Sequence, residues 1–325
     1  MARRRRRRRS SLGRGLGALA VVVLVALWAA FGPEIRGRLG LPGAASPPRR
    51  DGAGLRVVTW NLRNFPGDTQ DLERVRRRLR ELEADVIAVQ EIHSPEALAA
   101  LMPGWELRLS EGGGRGRQRL GVLYDPARVE LIEAPQEHRA LSLGGRVRPG
   151  FSAYLRARGG GPDFFVVVVH LKAMASGYAQ REEQWPILAE IVRDLRRRDG
   201  DVIVLGDFNA TGPEGQAAAA EVAALGAALG AAGLRQVPSA GGCSAYWDGP
   251  RRDAWKEPSL LDLVWVADLE EALGAGAEAL AFAHCARHHC AAFRSTDAYP
   301  DPDFAAISDH CPVVLDLRAG ADDDR

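Results

Sequence analysis

Positive charge is scarce in this chain once its first fifty residues are set aside. Over 325 residues, 43 lysines and arginines face 42 acids, a formal charge of +1. Residues 1–50 hold twelve arginines and one acid, Glu34, so 31 basic and 41 acidic residues remain, a charge of about −10 for the rest of the chain. That balance argues against tight non-specific DNA binding through a broad basic face, because each phosphate contact needs a lysine or arginine. It leaves open hydrolysis of DNA in a locally positive, metal-loaded cleft. The chain has no internal repeat period, which excludes solenoids and propellers. Gly112-Gly113-Gly114 lacks the Gly-Lys-Ser/Thr that would complete a phosphate loop and reads as a flexible surface loop. Cysteine is limited to Cys243, Cys285, Cys290 and Cys311. An even set suits disulfides in a domain outside the cytoplasm, with the pairing left open. The spacing of Cys285 and Cys290 matches no standard zinc pair, so loop stapling is preferred there, and Cys311 also reads as a buried thiol.

The basic residues are concentrated at the start. Arg3 to Arg9 is an unbroken arginine run, followed by an uncharged apolar stretch from Leu16 to Phe31. Arginines before an apolar segment hold an N-terminus in the cytoplasm. Trp28 and Phe31 leave no clean small-x-small cleavage site. The expected organisation is a basic cytoplasmic segment over 1–15, a signal anchor or signal-peptide core over 16–32, a Pro/Gly-rich linker over 33–54, a folded domain over 55–318 and an acidic disordered tail over 319–325. The catalytic domain is then expected outside the cytoplasm, held at the membrane through residues 16–31 or secreted if residues 1–31 are cleaved. No protein partner is implied, and a monomer is expected.

Within the folded part, strand-like runs alternate with helical spacing. Leu55–Trp60, Val86–Val89, Leu120–Tyr124, Phe164–Leu171, Val202–Leu205, Leu261–Val266 and Val313–Leu317 read as strands. Leu72, Val75, Leu79 and Leu82 fall at helical spacing, as do Trp185, Leu188, Ile191, Val192 and Leu195; an alanine-rich helix spans about 216–232. Several strands are apolar on both faces, as in sheets covered on both sides, which predicts a layered α/β domain.

Polar groups recur where these strands end. Asn61 follows Val57–Trp60, Gln90-Glu91 follows Val86–Val89, and His170 closes a run of valines. Asp207 and Asn209 follow Val202–Leu205; Asp262 starts a strand, and Asp309-His310 precedes the last one. Asp207 and Asn209 are two residues apart, so extended backbone aims both the same way. Carboxylates that hold a metal and imidazoles that supply protons or positive charge are what a phosphodiester requires, because its own negative charge repels a nucleophile.

Thr59-Trp60-Asn61, Gln90-Glu91, His170, Gly206-Asp207-Phe208-Asn209, Leu261-Asp262 and Ser308-Asp309-His310 stand in the order of the endonuclease/exonuclease/phosphatase superfamily, which the chain resembles from about Leu55 to Leu317. That superfamily includes pancreatic-type deoxyribonucleases, abasic-site endonucleases, inositol polyphosphate 5-phosphatases and bacterial sphingomyelinases. The resemblance implies a four-layer α/β/β/α sandwich of two packed mixed sheets, with the site in a cleft at one edge. It implies Glu91 as principal metal ligand with Asn61 and Asp309 nearby, the ion being Mg²⁺ or Mn²⁺. It implies His310 on the scissile phosphate, oriented by Asp262; Asp207 orienting or deprotonating water; and Asn209 on phosphate oxygens. His170 matches the histidine of the deoxyribonuclease-like branch, a candidate general acid. Gln118 stands where that branch has the supporting glutamate. Tyr124 and Lys172 are further candidates for phosphate contact.

The expected activity is a metal-dependent nuclease acting on DNA by attack of water on phosphorus. A phosphatase or phospholipase-type hydrolase of the inositol phosphate or sphingomyelin class at the membrane surface is the alternative, with Tyr246-Trp247 and Trp255 as interfacial aromatics. A non-catalytic binding module on the same fold is the second alternative. Arg115, Arg117, Arg119, His93 and Arg251-Arg252 are the basic groups available to a nucleic-acid backbone.

Overall fold

The computed structural model describes residues 47–49, 52–249, 251 and 253–319. The basic segment, the apolar stretch, most of the linker, Arg252 and residues 320–325 of the acidic tail lie outside the described residues. Among the described residues no helix is long and apolar enough to cross a membrane. One compact unit, Ala45–Arg325, contains all three of the hydrophobic clusters described below.

The strands are β1 (Ala53–Phe65), β2 (Val86–Ile92), β3 (Glu106–Leu109), β4 (Arg119–Tyr124), β5 (Val129–Leu131), β6 (Gln136–His138), β7 (Gly150–Ala157), β8 (Asp163–His170), β9 (Val202–Asp207), β10 (Arg235–Gln236), β11 (Ser239–Ala240), β12 (Ala245–Trp247), β13 (Trp255–Ser259), β14 (Asp262–Ala267), β15 (Ala279–Ala281), β16 (Phe293–Arg294) and β17 (Val313–Arg318). One large sheet runs β11-β15-β17-β1-β2-β4-β3 and the other β10-β14-β9-β8-β7-β5, with β6 also pairing β7. Both are mixed: β1 and β2 pair in parallel, as do β8 and β9, while β14 is antiparallel to β9. A small third sheet holds β12, β13 and β16.

Alternation along the strands builds the layers. Val57, Val86 and Val122 of the first sheet join Val166, Ile203 and Val264 of the second in one buried cluster between the sheets. Their neighbours in sequence face the other way. Val58, Ile87 and Leu123 pack against α1 (Leu72–Glu81) and α2 (Pro95–Leu101), whose Val75, Leu79 and Leu98 share their cluster. Val167, Val204 and Trp265 pack against α3 (Tyr178–Arg196) and α4 (Ala218–Gly230) through Leu188, Val192 and Leu225. This is the α/β/β/α sandwich, and it explains why β8 is buried at every residue.

Helix starts obey local chemistry. Asp71 accepts from the backbone N–H groups of Glu73 and Arg74 at the start of α1, and Ser94 from Ala97 at the start of α2, with Pro95 in the first turn. Gly206 is needed where β9 crosses closest to β8: its φ is +138°, and a Cβ there would lie 2.1 Å from the carbonyl oxygen of Val169.

Three features escape the sequence reading. β7 is an interior strand of the second sheet, yet Arg156 and the glycine at its start hide it; Arg156 meets Asp163 on β8 at 2.9 Å. The third sheet is built from short pieces with no apolar run. The four cysteines pair as Cys243–Cys290 and Cys285–Cys311. Cys285 and Cys290 therefore belong to different crosslinks, not to a zinc pair, and Cys311 is bonded rather than a lone thiol. A disulfide stabilises mainly by restricting the unfolded chain, by roughly 3–4 kcal/mol for loops of these lengths, 47 and 26 residues apart. Replacing Cys285 and Cys311 together by alanine is expected to lower the denaturation free energy by ~2–4 kcal/mol. Urea unfolding measures the loss, and non-reducing peptide mapping checks the two pairings.

Candidate active site

Strand register sets the site. On the second sheet His170 of β8 sits opposite Asp207 of β9, and Asp207 sits opposite Asp262 of β14, so three polar groups lie in one row across adjacent strands. On the first sheet Asn61 of β1 pairs with Gln90 of β2, and Glu91 follows at once. There the pairing of β2 with β4 slips between Val89 and Ile92, and Glu91 takes a left-handed φ of +64°. A bulge re-aims a side chain at a backbone cost of order 1–3 kcal/mol, which here turns the Glu91 carboxylate to the second sheet. Asn209, at φ +50°, follows Asp207 in the same left-handed region.

The two rows meet. Asn61 Nδ2 donates to Glu91 Oε1 at 3.1 Å and to Asp207 Oδ2 at 3.0 Å. The Asn64 N–H donates to Glu91 Oε2 at 2.9 Å. His170 Nε2 stands 3.3 Å from Asp207 Oδ2 and 3.7 Å from Glu91 Oε1. His310 Nδ1 donates to Asp262 Oδ2 at 2.8 Å, and its Nε2 faces Asp207 Oδ2 at 3.8 Å. The backbone of the Ser308–His310 segment is pinned by Trp60, whose indole N–H donates to the His310 carbonyl at 3.1 Å, and by Ser308 Oγ, which donates to the Asn61 carbonyl. That is why Thr59-Trp60-Asn61 and Ser308-Asp309-His310, far apart in sequence, act as one unit.

Electrostatics divides the two histidines. Burial would lower the pKa of His310, but Asp262 and Asp207 beside it and the hydrogen bond to Asp262 hold it well above the usual imidazole value, so the ring is charged. His170 goes the other way: burial, the Arg148 guanidinium and His310 push it well below that value, and its Nδ1 has no hydrogen-bond partner. Without metal His170 is thus a buried neutral ring 3.3 Å from Asp207, a direction that works against the general-acid role expected of it. Burial lifts Asp207 to about 7, with Asp262 and Glu91 adding to the rise against His310 and Arg148. The cluster thus carries more negative charge than its own cations offset. Oxygen donors with uncompensated charge fit a hard divalent cation: Glu91 Oε1 and Asp207 Oδ2 converge on Asn61 Nδ2, and Asp207, Asp262 and His310 also cluster, while the Asp309 carboxylate meets Arg63 at 3.7 Å. Asn61 differs from expectation: its amide nitrogen faces the two carboxylates, while its oxygen accepts from the Arg63 N–H at 2.9 Å.

Other candidates are placed differently. Tyr124 pairs with Val86, five residues before Glu91 and so at the far end of the sheet, and its hydroxyl donates to Glu106 at 2.8 Å. It is not a site residue, because antiparallel pairing puts the end of β4 opposite the start of β2. Gln118 does not touch His170; it donates to Asn64 Oδ1 at 2.7 Å and accepts from Arg148. Lys172 Nζ donates to the Ala173 carbonyl at 3.0 Å, outside the carboxylate cluster. Asn209 turns its amide to the Leu171 carbonyl at 3.3 Å while its N–H donates to Asp207 Oδ1 at 2.9 Å.

Two functional groups had no signal in the sequence. Arg148, from the loop before β7, donates to the carbonyls of His170 and Leu171 and sets a positive charge beside Asp207 and Glu91. Arg181 and Glu221 form a fully buried ion pair between α3 and α4. Arg181 also donates to the Lys172 and Met174 carbonyls, and Glu221 accepts from the Gly212 N–H, so the pair ties down the loops that follow His170 and Asn209.

The sequence profile of the Endonuclease/Exonuclease/phosphatase family matches residues 58–310. The chain belongs to that family. It is a phosphoester hydrolase of a family whose enzymes use divalent metal ions. No curated protein matches the chain at a comparable level. Among solved structures, a humanized TDP2 from D. rerio aligns at 17% identity and TM-score 0.56, covering 82% of this chain and 99% of that one. The catalytic domain of human Nocturnin aligns at 18% identity and TM-score 0.51, covering 82% and 94%. A mannosyl-6-phosphatase from Bacteroides thetaiotaomicron aligns at 18% identity and TM-score 0.53, covering 81% and 99%. At these identities the likeness concerns the fold.

The raised Asp207 makes metal-free stability depend on pH. Its folded pKa of about 7 exceeds the unfolded value of 3.8, so its contribution is fully present below about pH 4 and is lost as pH rises through 7. Asp207→Asn, which cannot ionise, is expected to melt ~5 °C or more above the wild type at pH 8 in chelator and to match it near pH 4. Magnesium is expected to raise the melting temperature of the wild type at pH 8 and not that of a Glu91→Gln variant. Differential scanning calorimetry reads all of these.

Proposed function

We propose that the protein is a magnesium-dependent phosphodiesterase that cleaves nucleic acid. The observation that carries this reading is an imidazole, His310, held on Asp262 at 2.8 Å and facing Asp207, which shares the Asn61 amide with Glu91 across the cleft between the sheets. One charged donor and one base near neutrality are the two groups that in-line attack of water on a phosphodiester needs.

Glu91 would hold the ion with Asn61 and Asp309 beside it, its chemistry being to offset the charge that builds on the phosphate oxygens. Asp207 takes the proton of the attacking water as the water oxygen bonds to phosphorus; the P–O ester bond breaks, and the leaving oxygen takes its proton from solvent. His310 donates to a non-bridging oxygen and keeps its proton because Asp262 stabilises the imidazolium. Asn209 fixes Asp207 through its backbone N–H to Oδ1, with its own amide held on the Leu171 carbonyl. His170, neutral, steadies Asp207. Arg148 adds a fixed positive charge behind both carboxylates.

DNA is favoured over a lipid headgroup because the charge near the cleft is local: Arg63 and Arg148 stand against an acidic remainder. The phospholipase and phosphatase readings are thereby set second. Two disulfides support a catalytic domain outside the cytoplasm, held by residues 16–31 or released.

The compact unit 45–325 is expected to hydrolyse bis-p-nitrophenyl phosphate and plasmid or oligonucleotide DNA with magnesium and to stop in chelator. His310→Ala and Asp262→Asn are expected to lower kcat by roughly 10²–10⁴-fold. Asp207→Ala turning over DNA at the wild-type rate would end the reading.

A further inference from the structure

The third sheet is continuous with the catalytic face. Ala245 of β12 forms an antiparallel bridge with His310, and the Tyr246 N–H donates to the Asp309 carbonyl at 2.9 Å. Residues opposed in a β-bridge project their side chains to the same face, so the His310 ring and the Ala245 methyl share one side. Two residues on, about 7 Å along the strand, Trp247 projects from that same side.

β13 continues the row. Trp247 is paired with Glu257, and Trp255 lies two residues from Glu257 on the same face, a further ~7 Å from the catalytic imidazole. Arg294 of β16 is paired with Trp255 and is exposed. The opposite face of the sheet is the packed one: Tyr246 meets Phe293 edge-on at 4.8 Å and both lie in the core. Trp247 and Trp255 have no such role. They are 48% and 50% exposed, among the few large apolar side chains at the surface of the described residues. Large exposed aromatics in a row beginning beside a catalytic group are not accounted for by folding.

We infer that the outer face of the β12–β13–β16 sheet is a stacking platform for a single-stranded nucleic acid whose scissile phosphate lies at His310, with Trp247 and Trp255 each taking a base and Arg294 meeting the backbone. The inference rests on the nucleic-acid reading of the active site and adds which form of the polymer it takes. Charge selects the form. A duplex is bound mainly through phosphate contacts, which a charge of about −10 outside the first fifty residues disfavours. A single strand exposes the faces of its bases, and stacking on an aromatic contributes ~1–3 kcal/mol per base beyond any phosphate contact, a contribution that a duplex with its bases paired and stacked does not offer. Glu257, between the two tryptophans, adds a further bias against duplex phosphates and against anionic lipid on this face.

The test separates binding from catalysis. The compact unit 45–325, without metal, is titrated with a fluorescein-labelled phosphorothioate single-stranded 12-mer, its duplex, and phosphatidylglycerol vesicles. Hydrolysis of bis-p-nitrophenyl phosphate by the wild type with magnesium is measured beside it. The platform predicts that the single strand binds at least tenfold tighter than the duplex, and that Trp247→Ala with Trp255→Ala raises its Kd ~20-fold or more, whereas the paired phenylalanine variants restore most of the affinity. A Kd for the single strand that moves less than twofold in the alanine variant overturns it. So does equal binding of duplex, or an effect confined to the vesicles. Failure of the wild type to hydrolyse the small diester would instead overturn the hydrolase reading, with the binding result standing separately.

Discussion

Asp207 is a carboxylate taken out of water without enough positive charge to match it, and much of the surrounding structure answers that cost. His310 approaches from one side, Asn61 donates from another, Arg148 stands behind, and the pKa of the acid still climbs to about 7. A buried charge is tolerated only with partners, and here one partner is left to be supplied from solution. The same carboxylates hold the pKa of His310 up, whereas burial, Arg148 and His310 itself push that of His170 down. The charge state of each imidazole is therefore set by its environment: both rings are buried, but Asp262 and Asp207 adjoin His310, whereas Arg148 and His310 act on His170.

Convergence of the cluster depends on backbone register more than on side-chain reach. His170, Asp207 and Asp262 are opposed across β8, β9 and β14, and a slip of one residue in any of these strands would turn a polar group into the apolar layer between sheet and helices. Gly206 makes this register possible, because only a residue without a Cβ can pass so close to the Val169 carbonyl immediately before Asp207. On the other sheet the bulge at Glu91 performs the complementary task of turning one acid across the gap. Buried pairs further out, such as Arg181 with Glu221, then fix the loops in which the strands end.

Much of this was legible in the sequence. Unbroken apolar runs such as Phe164 to Val169 announced covered strands, and polar residues at the ends of those runs announced the cleft. The two-faced alternation of Val57 with Val58 followed the same logic. What was hidden had no local signature. β7 carries Arg156, whose partner Asp163 is known only after folding. Arg148 lies in an irregular loop, and Tyr124 was misplaced because strand-end position says nothing about which end faces the site until direction is known. Gln118 was assigned to His170 by resemblance, while the folded chain bridges it to Asn64 and Arg148. The pairing of the four cysteines likewise depended on three-dimensional neighbours.

Cys311 directly follows His310 and is covalently joined to Cys285. The backbone that carries the His310 ring is thus held by a covalent crosslink one residue away, and a chain with free thiols lacks that anchor.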